Sequence, residues 1–179
     1  MSALERLNAL PAPEAERELL ACCGSREWAR RVAAARPFPD AAALLDRADR
    51  AWRELGEPDW LEAFRSHPRI GERQAEAGQT ERERAWSAGE QAGMDTAAEA
   101  TQRALAEGNR EYEARFGHIY IVCATGRSGD EMLALLRRRL SNAPADELRA
   151  AAEEQRRITR LRLEKLLAAE APAPRAPHR

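Results

Sequence analysis

A chain of 179 residues carrying 29 basic and 30 acidic side chains, for a formal charge of −1, has the length of one domain and can bury a single core. The two signs of charge are interspersed, as on solvated helix faces with i,i+4 pairs, and they supply no basic surface for a nucleic acid. No apolar run reaches the roughly 18 residues that cross a bilayer, and the N-terminus lacks a basic flank before an apolar segment, so a cytoplasmic protein without membrane contact is expected.

Hydrophobic residues are 44% of the chain and aromatics only 5%, so alanine and leucine must build the interior, which favours helices. Leu4, Leu7 and Leu10 mark a short first helix; Pro11 and Pro13 start a second that runs to about Cys23 and stops at Gly24. Ser25 caps a third, which carries Trp28 and Val32 and ends at Arg36-Pro37-Phe38-Pro39. Asp40 opens a fourth through Trp52 and Leu55, closed by Gly56. Pro58 begins a fifth, with Trp60, Leu61 and Phe64, that leads to His67.

Residues 73–80 read as a polar loop. Thr80 with Glu83 forms a capping box for a helix holding Trp86, Ser87, Glu90 and Gln91. A long helix from near Thr96 to Arg115 is closed by Gly117, and Ile119-Tyr120-Ile121-Val122-Cys123 is the one stretch with strand character. Ser128 with Glu131 caps a further helix to about Leu140, and a last one runs from about Asp146 to Ala168. The expected fold is all-α: a single-domain compact bundle of about eight or nine helices over residues 1–169 with one short extended segment, and a disordered Pro/Ala-rich tail over 170–179.

Three groups of residues could carry chemistry. In Ser66-His67-Pro68-Arg69-Ile70-Gly71-Glu72, Pro68 disfavours the helical conformation at His67 and Gly71 permits a sharp turn, so the imidazole is displayed at a helix end. It either caps the preceding helix or acts as a catalytic group. Ser87, Glu90 and Gln91, at i, i+3 and i+4, put a hydroxyl, a carboxylate and an amide on one helix face, as a surface patch or as part of a site. Arg162 falls on the apolar side of the last helix with Leu148, Gln155, Ile158 and Leu166 and must find an anion there, either a buried carboxylate of the protein or a ligand. Cys22, Cys23 and Cys123 are too few and too poorly spaced for a disulfide framework or a zinc site and read as reduced apolar residues.

These motifs, followed by Asn109-Arg110-Glu111-Tyr112-Glu113-Ala114-Arg115-Phe116-Gly117, Ile121–Ser128 and Ile158-Thr159-Arg160-Leu161-Arg162-Leu163, stand in an order and spacing that resemble the 2-oxo-4-hydroxy-4-carboxy-5-ureidoimidazoline (OHCU) decarboxylases. The resemblance runs from about Leu4 to Leu167. It implies the last step from urate to (S)-allantoin, catalysed by a homodimer. By the same resemblance His67 and Glu90 are catalytic, while Pro68, Ser87, Gln91, Arg162 and the main chain of Ile119, Tyr120, Ile121, Val122 and Cys123 bind OHCU. After Phe116-Gly117 the chain has His118 and Ile119 where the family often has an aromatic residue and a proline, so the register of those main-chain contacts is the open part of the transfer.

In the implied reaction the departing carboxylate sits on a ring carbon next to a carbon–nitrogen double bond that can take up the electrons. No metal and no cofactor is called for, and the protein supplies orientation, charge and a proton to one face. His67 would be the general acid/base, with Glu90 orienting it. Two other readings compete: a Cys–His hydrolase using Cys123 and His67, and a helical interaction module presenting Trp28, Trp52, Trp60 and Trp86.

Overall fold

A computed structural model describes residues 1–71, 80–95 and 97–169. The chain is all-α, and its described residues form nine helices: α1 (Ala3–Ala9), α2 (Ala12–Leu20), α3 (Arg26–Ala34), α4 (Ala41–Arg53), α5 (Glu57–Phe64), α6 (Glu81–Glu90), α7 (Glu99–Phe116), α8 (Gly129–Arg139) and α9 (Pro144–Ala168). A 3-10 turn, Ala92–Met94, separates α6 from α7. The expected loop over 73–80, apart from Thr80, lies outside the described residues, as do Thr96 and the 170–179 tail. No described helix is long and apolar enough to cross a membrane.

Local chemistry explains most boundaries. The side chains of Ser25 and Asp40 accept the N–H groups of Trp28 and Ala43, and Thr80–Glu83 and Ser128–Glu131 close reciprocal capping boxes. Each satisfies donors that a helix start leaves unpaired. Gly117 ends α7 with φ 76°, a left-handed conformation that glycine adopts without strain. Several boundaries differ from expectation, among them the start of α7, at Glu99 where a start near Thr96 was expected. The second helix stops at Leu20, its last residues before Gly24 forming a turn, and the last begins at Pro144 because a proline in the first turn loses no hydrogen bond there.

Helices α2, α3 and α4 pack in sequence, and α9 closes against α1, α4, α5 and α7. Their apolar faces form one core around Leu19, Trp28, Val32, Leu44, Trp52, Phe64 and Leu163. A second core under α7 and α8 gathers Leu105, Tyr112, Met132 and Leu136. All four tryptophans belong to the first core, Trp60 and Trp86 at its edge; the indole N–H groups of Trp28 and Trp52 donate to the carbonyls of Ala48 and Ala152. They are packing residues, and the Trp60 indole also donates, to Trp52 O at 3.3 Å.

The segment from Ile119 to Ala124 threads between the two cores. Ile119, Ile121 and Cys123 meet the first, and Tyr120, Val122 and Ala124 the second, the period-two alternation of extended backbone. Among the described residues it has no strand partner. Side chains from elsewhere satisfy part of its backbone instead: Arg139 Nη1 donates to Ile121 O at 2.6 Å, Cys123 N–H to Glu154 Oε2 at 2.7 Å, and Arg127 Nε to Cys123 O at 3.1 Å.

Candidate active site

Helix α5 ends at Phe64, and the chain turns so that His67 N–H donates to Phe64 O at 3.1 Å. This turn lies tight against the α2–α3 connection: a Cβ on Gly24 would come within 2.5 Å of Ser66 Cβ, so only glycine allows the approach. Pro68 is buried. Gly71, at φ 89°, makes the sharp turn expected of it, and its N–H donates to Gln91 Oε1 at 2.8 Å. The amide of Gln91 thus braces the loop that carries His67.

The two segments face one another across a narrow cavity of about 20 Å³, lined by His67, Pro68, Ile70, Ser87, Glu90, Gln91, Tyr120, Ile121, Val122, Ala124 and Ile158. A second cavity of about 150 Å³ shares Pro68, Ser87 and Gln91 with it and continues past Gly71 and Met94. Of the residues expected at the site, Ile119, Cys123 and Arg162 do not line the narrow cavity. Among the described residues, the N–H groups of Ile121 and Val122 have no protein partner, so the extended segment presents unused donors beside His67.

The expected bond between His67 and Glu90 is absent. Glu90 is held by Arg162, whose Nε and Nη2 each lie 2.9 Å from one of its carboxylate oxygens; Nη2 also donates to Ser87 Oγ at 3.2 Å. A buried guanidinium takes the nearest carboxylate with matching two-pronged geometry, and on this apolar face that is Glu90. Arg162 is only 3% exposed; burial opposes its charge, but the hydrogen bonds and charge of Glu90 outweigh that and raise its pKa. Lys165 Nζ stands 3.8 Å from the same carboxylate.

His67 instead meets Gln155 on α9, with Nε2 2.8 Å from Gln155 Oε1. Removal from water, then the nearby Arg162 charge, lower its pKa from 6.5 to about 3, against the opposing effect of the Gln155 hydrogen bond. The half-buried imidazole is therefore neutral at neutral pH, a proton acceptor. The thiol of Cys123 is pushed up, first by burial and then by Glu154 and Glu90, which disfavours the thiolate that a nucleophile requires. Among the described residues, no group of three or more His, Cys, Asp or Glu side chains is placed to hold a metal ion.

Comparison with known proteins places this cavity in context. The family model described as OHCU decarboxylase matches residues 8–164. The chain belongs to this family. It is 36% identical over 151 residues to the uric acid degradation bifunctional protein TTL of Arabidopsis thaliana, covering 84% of this chain and 47% of that protein; the chain thus spans about half the length of that relative. It is 27% identical over 135 residues to the 2-oxo-4-hydroxy-4-carboxy-5-ureidoimidazoline decarboxylase of Haloferax volcanii, covering 75% of this chain and 77% of the other. A crystal structure of an OHCU decarboxylase obtained in the presence of (S)-allantoin superposes with a TM-score of 0.72 at 35% identity, over 85% of this chain and 98% of that one.

Sequence reasoning did not single out Gln155 as the partner of His67. It falls on the face of α9 that carries Ile158 and Arg162, fully buried. A neutral amide on an otherwise apolar face was the available signal, but such a group has no charge that demands a partner.

Proposed function

We propose that the chain is a cofactor-independent decarboxylase that converts OHCU to (S)-allantoin in urate catabolism. The observation that carries this reading is a half-buried imidazole in a cavity shared with Ser87 and with a Glu90 carboxylate held by Arg162. In this reaction the bond to the departing carboxylate breaks, its electron pair forms a double bond between the two ring carbons, and the carbon–nitrogen π pair moves onto the ring nitrogen, which takes up a proton from water. The ring hydroxyl then gives up its proton as a carbonyl forms, and the neighbouring carbon takes a proton on one face. His67 in its neutral form is ready to accept the hydroxyl proton and return it to carbon.

Glu90 acts on the site's charge as the partner of Arg162, and is not the group that orients the imidazole. Arg162 Nη1, which has no protein partner among the described residues, is the remaining donor for a substrate oxygen. Ser87, Pro68, Gln91 and the unused N–H groups of Ile121 and Val122 orient the flat, urea-bearing ring, with the reacting carbons at the narrow end by His67. We further take the enzyme to be a cytoplasmic homodimer, which sedimentation in solution tests for assembly.

The functional test is the product. Freshly generated OHCU decays by itself to racemic allantoin, so the enzyme should accelerate the decay and leave an excess of the (S) form, whether or not a metal chelator is present. Unchanged decay to a racemate overturns the reading. A Cys–His hydrolase is disfavoured because Cys123 does not line the narrow cavity and its thiol is raised.

A further inference from the structure

Gln155 is fully buried and both ends of its amide are occupied. Its Oε1 lies 2.8 Å from His67 Nε2, and its Nε2 donates to Thr159 Oγ1, one turn along α9, at 3.2 Å. Thr159 is itself buried and within hydrogen-bonding reach of the Cys23 thiol. With its NH2 group turned to Thr159, the amide offers the imidazole only a carbonyl oxygen, which accepts and cannot donate. In a neutral ring Nε2 must then carry the proton and Nδ1 the lone pair. Among the described residues Nδ1 has no protein partner.

We propose that Gln155 is a positioning residue that fixes the tautomer of His67, holding the proton on Nε2 and leaving Nδ1 as the basic nitrogen that meets the substrate. The role at the substrate rests on the decarboxylase reading; the tautomer follows from the hydrogen-bond geometry. One ring nitrogen anchored through a buried amide leaves the other to take the hydroxyl proton and return it to carbon, with no change of tautomer during the cycle.

The test is the side-chain ¹⁵N spectrum of histidine-labelled protein at neutral pH, with the His67 signals assigned by their loss in His67→Asn, read beside the kinetics of OHCU turnover. Wild type is expected to show a protonated Nε2 and an unprotonated Nδ1. Gln155→Leu should move these signals towards a tautomer mixture and lower kcat roughly tenfold or more, with KM changed less. Thr159→Val, which removes the acceptor that orients the amide, should do the same in part, whereas Thr159→Ser should behave as wild type. If Gln155→Leu does not fold, the Thr159 pair carries the comparison. A wild-type spectrum with the proton on Nδ1, the outcome of a reversed amide, overturns the proposal, as does an unchanged tautomer in both Gln155→Leu and Thr159→Val. Wild-type protein that shows the Nε2 proton yet yields no (S)-allantoin would refute the decarboxylase reading while upholding the positioning role.

Discussion

Among the described residues two arginine–glutamate pairs are buried, and they differ in what is left over. Arg139 is saturated: Nε donates to Glu147 Oε1 at 2.7 Å, Nη1 to Ile121 O at 2.6 Å and Nη2 to Tyr112 Oη at 3.3 Å. Glu147 also accepts from Tyr112 and Asn142. Arg162 reaches both carboxylate oxygens of Glu90, where Arg139 meets only Oε1 of Glu147; Arg162 Nη1 has no protein partner among the described residues, and Glu90 borders the cavity that holds His67. A saturated buried pair ties elements together, whereas a pair that keeps an unused donor, and whose carboxylate lines a cavity, has hydrogen-bonding capacity left for a ligand.

Breaking each pair should therefore have different consequences. Glu147→Ala leaves Arg139 buried without its carboxylate, and about 3–5 kcal/mol of stability should be lost. Urea unfolding reads the loss, while turnover per folded molecule should change little. Equal loss of turnover would blur the distinction between the two pairs. Arg162→Lys keeps a charge but not the planar fork, and should cost on the order of 1.5–3 kcal/mol, roughly ten- to a hundred-fold, in kcat/KM for OHCU. Arg160→Lys, on the more exposed side of α9, is the control; if Arg162→Lys matches it, Arg162 does not serve the substrate.

A smaller effect concerns pH. Because the folded-state pKa of His67 is depressed to about 3 from 6.5, the unfolded chain binds this proton more readily than the folded one. The stability that a neutral His67 contributes is present above pH 6.5 and is lost as pH falls towards 3. Urea midpoints measured at pH 7 and pH 5 should fall more in wild type than in His67→Gln, and equal falls would show that the imidazole is not held neutral.

How far the sequence reached follows the range of the interactions. Helix starts at Ser25, Asp40, Thr80 and Ser128 were legible because a cap and its recipient lie three residues apart. So were the turn at His67-Pro68-Gly71 and the shared face of Ser87, Glu90 and Gln91. The pairing between segments was not. Periodicity placed Arg162 on a buried face and required a partner, but it could not choose between a ligand and Glu90, 72 residues away. Gln155 was harder still: it is uncharged, its partner lies 88 residues away, and nothing local distinguishes an amide that holds a histidine from one that fills a gap. The extended segment was recognised, but its bonds to Arg139 and Glu154 depend on how α8 and α9 pack.

The central claim, that His67 performs the proton transfer that fixes the product's handedness, is tested most directly by following optical activity as freshly generated OHCU decays in the presence of wild type and of His67→Ala, with circular dichroism to confirm folding. Loss of the imidazole should cost roughly a hundred- to ten-thousand-fold in enzyme-directed rate, and the folded variant should leave racemic allantoin from the background reaction. A folded His67→Ala protein that still produced one enantiomer at the wild-type rate would contradict the account.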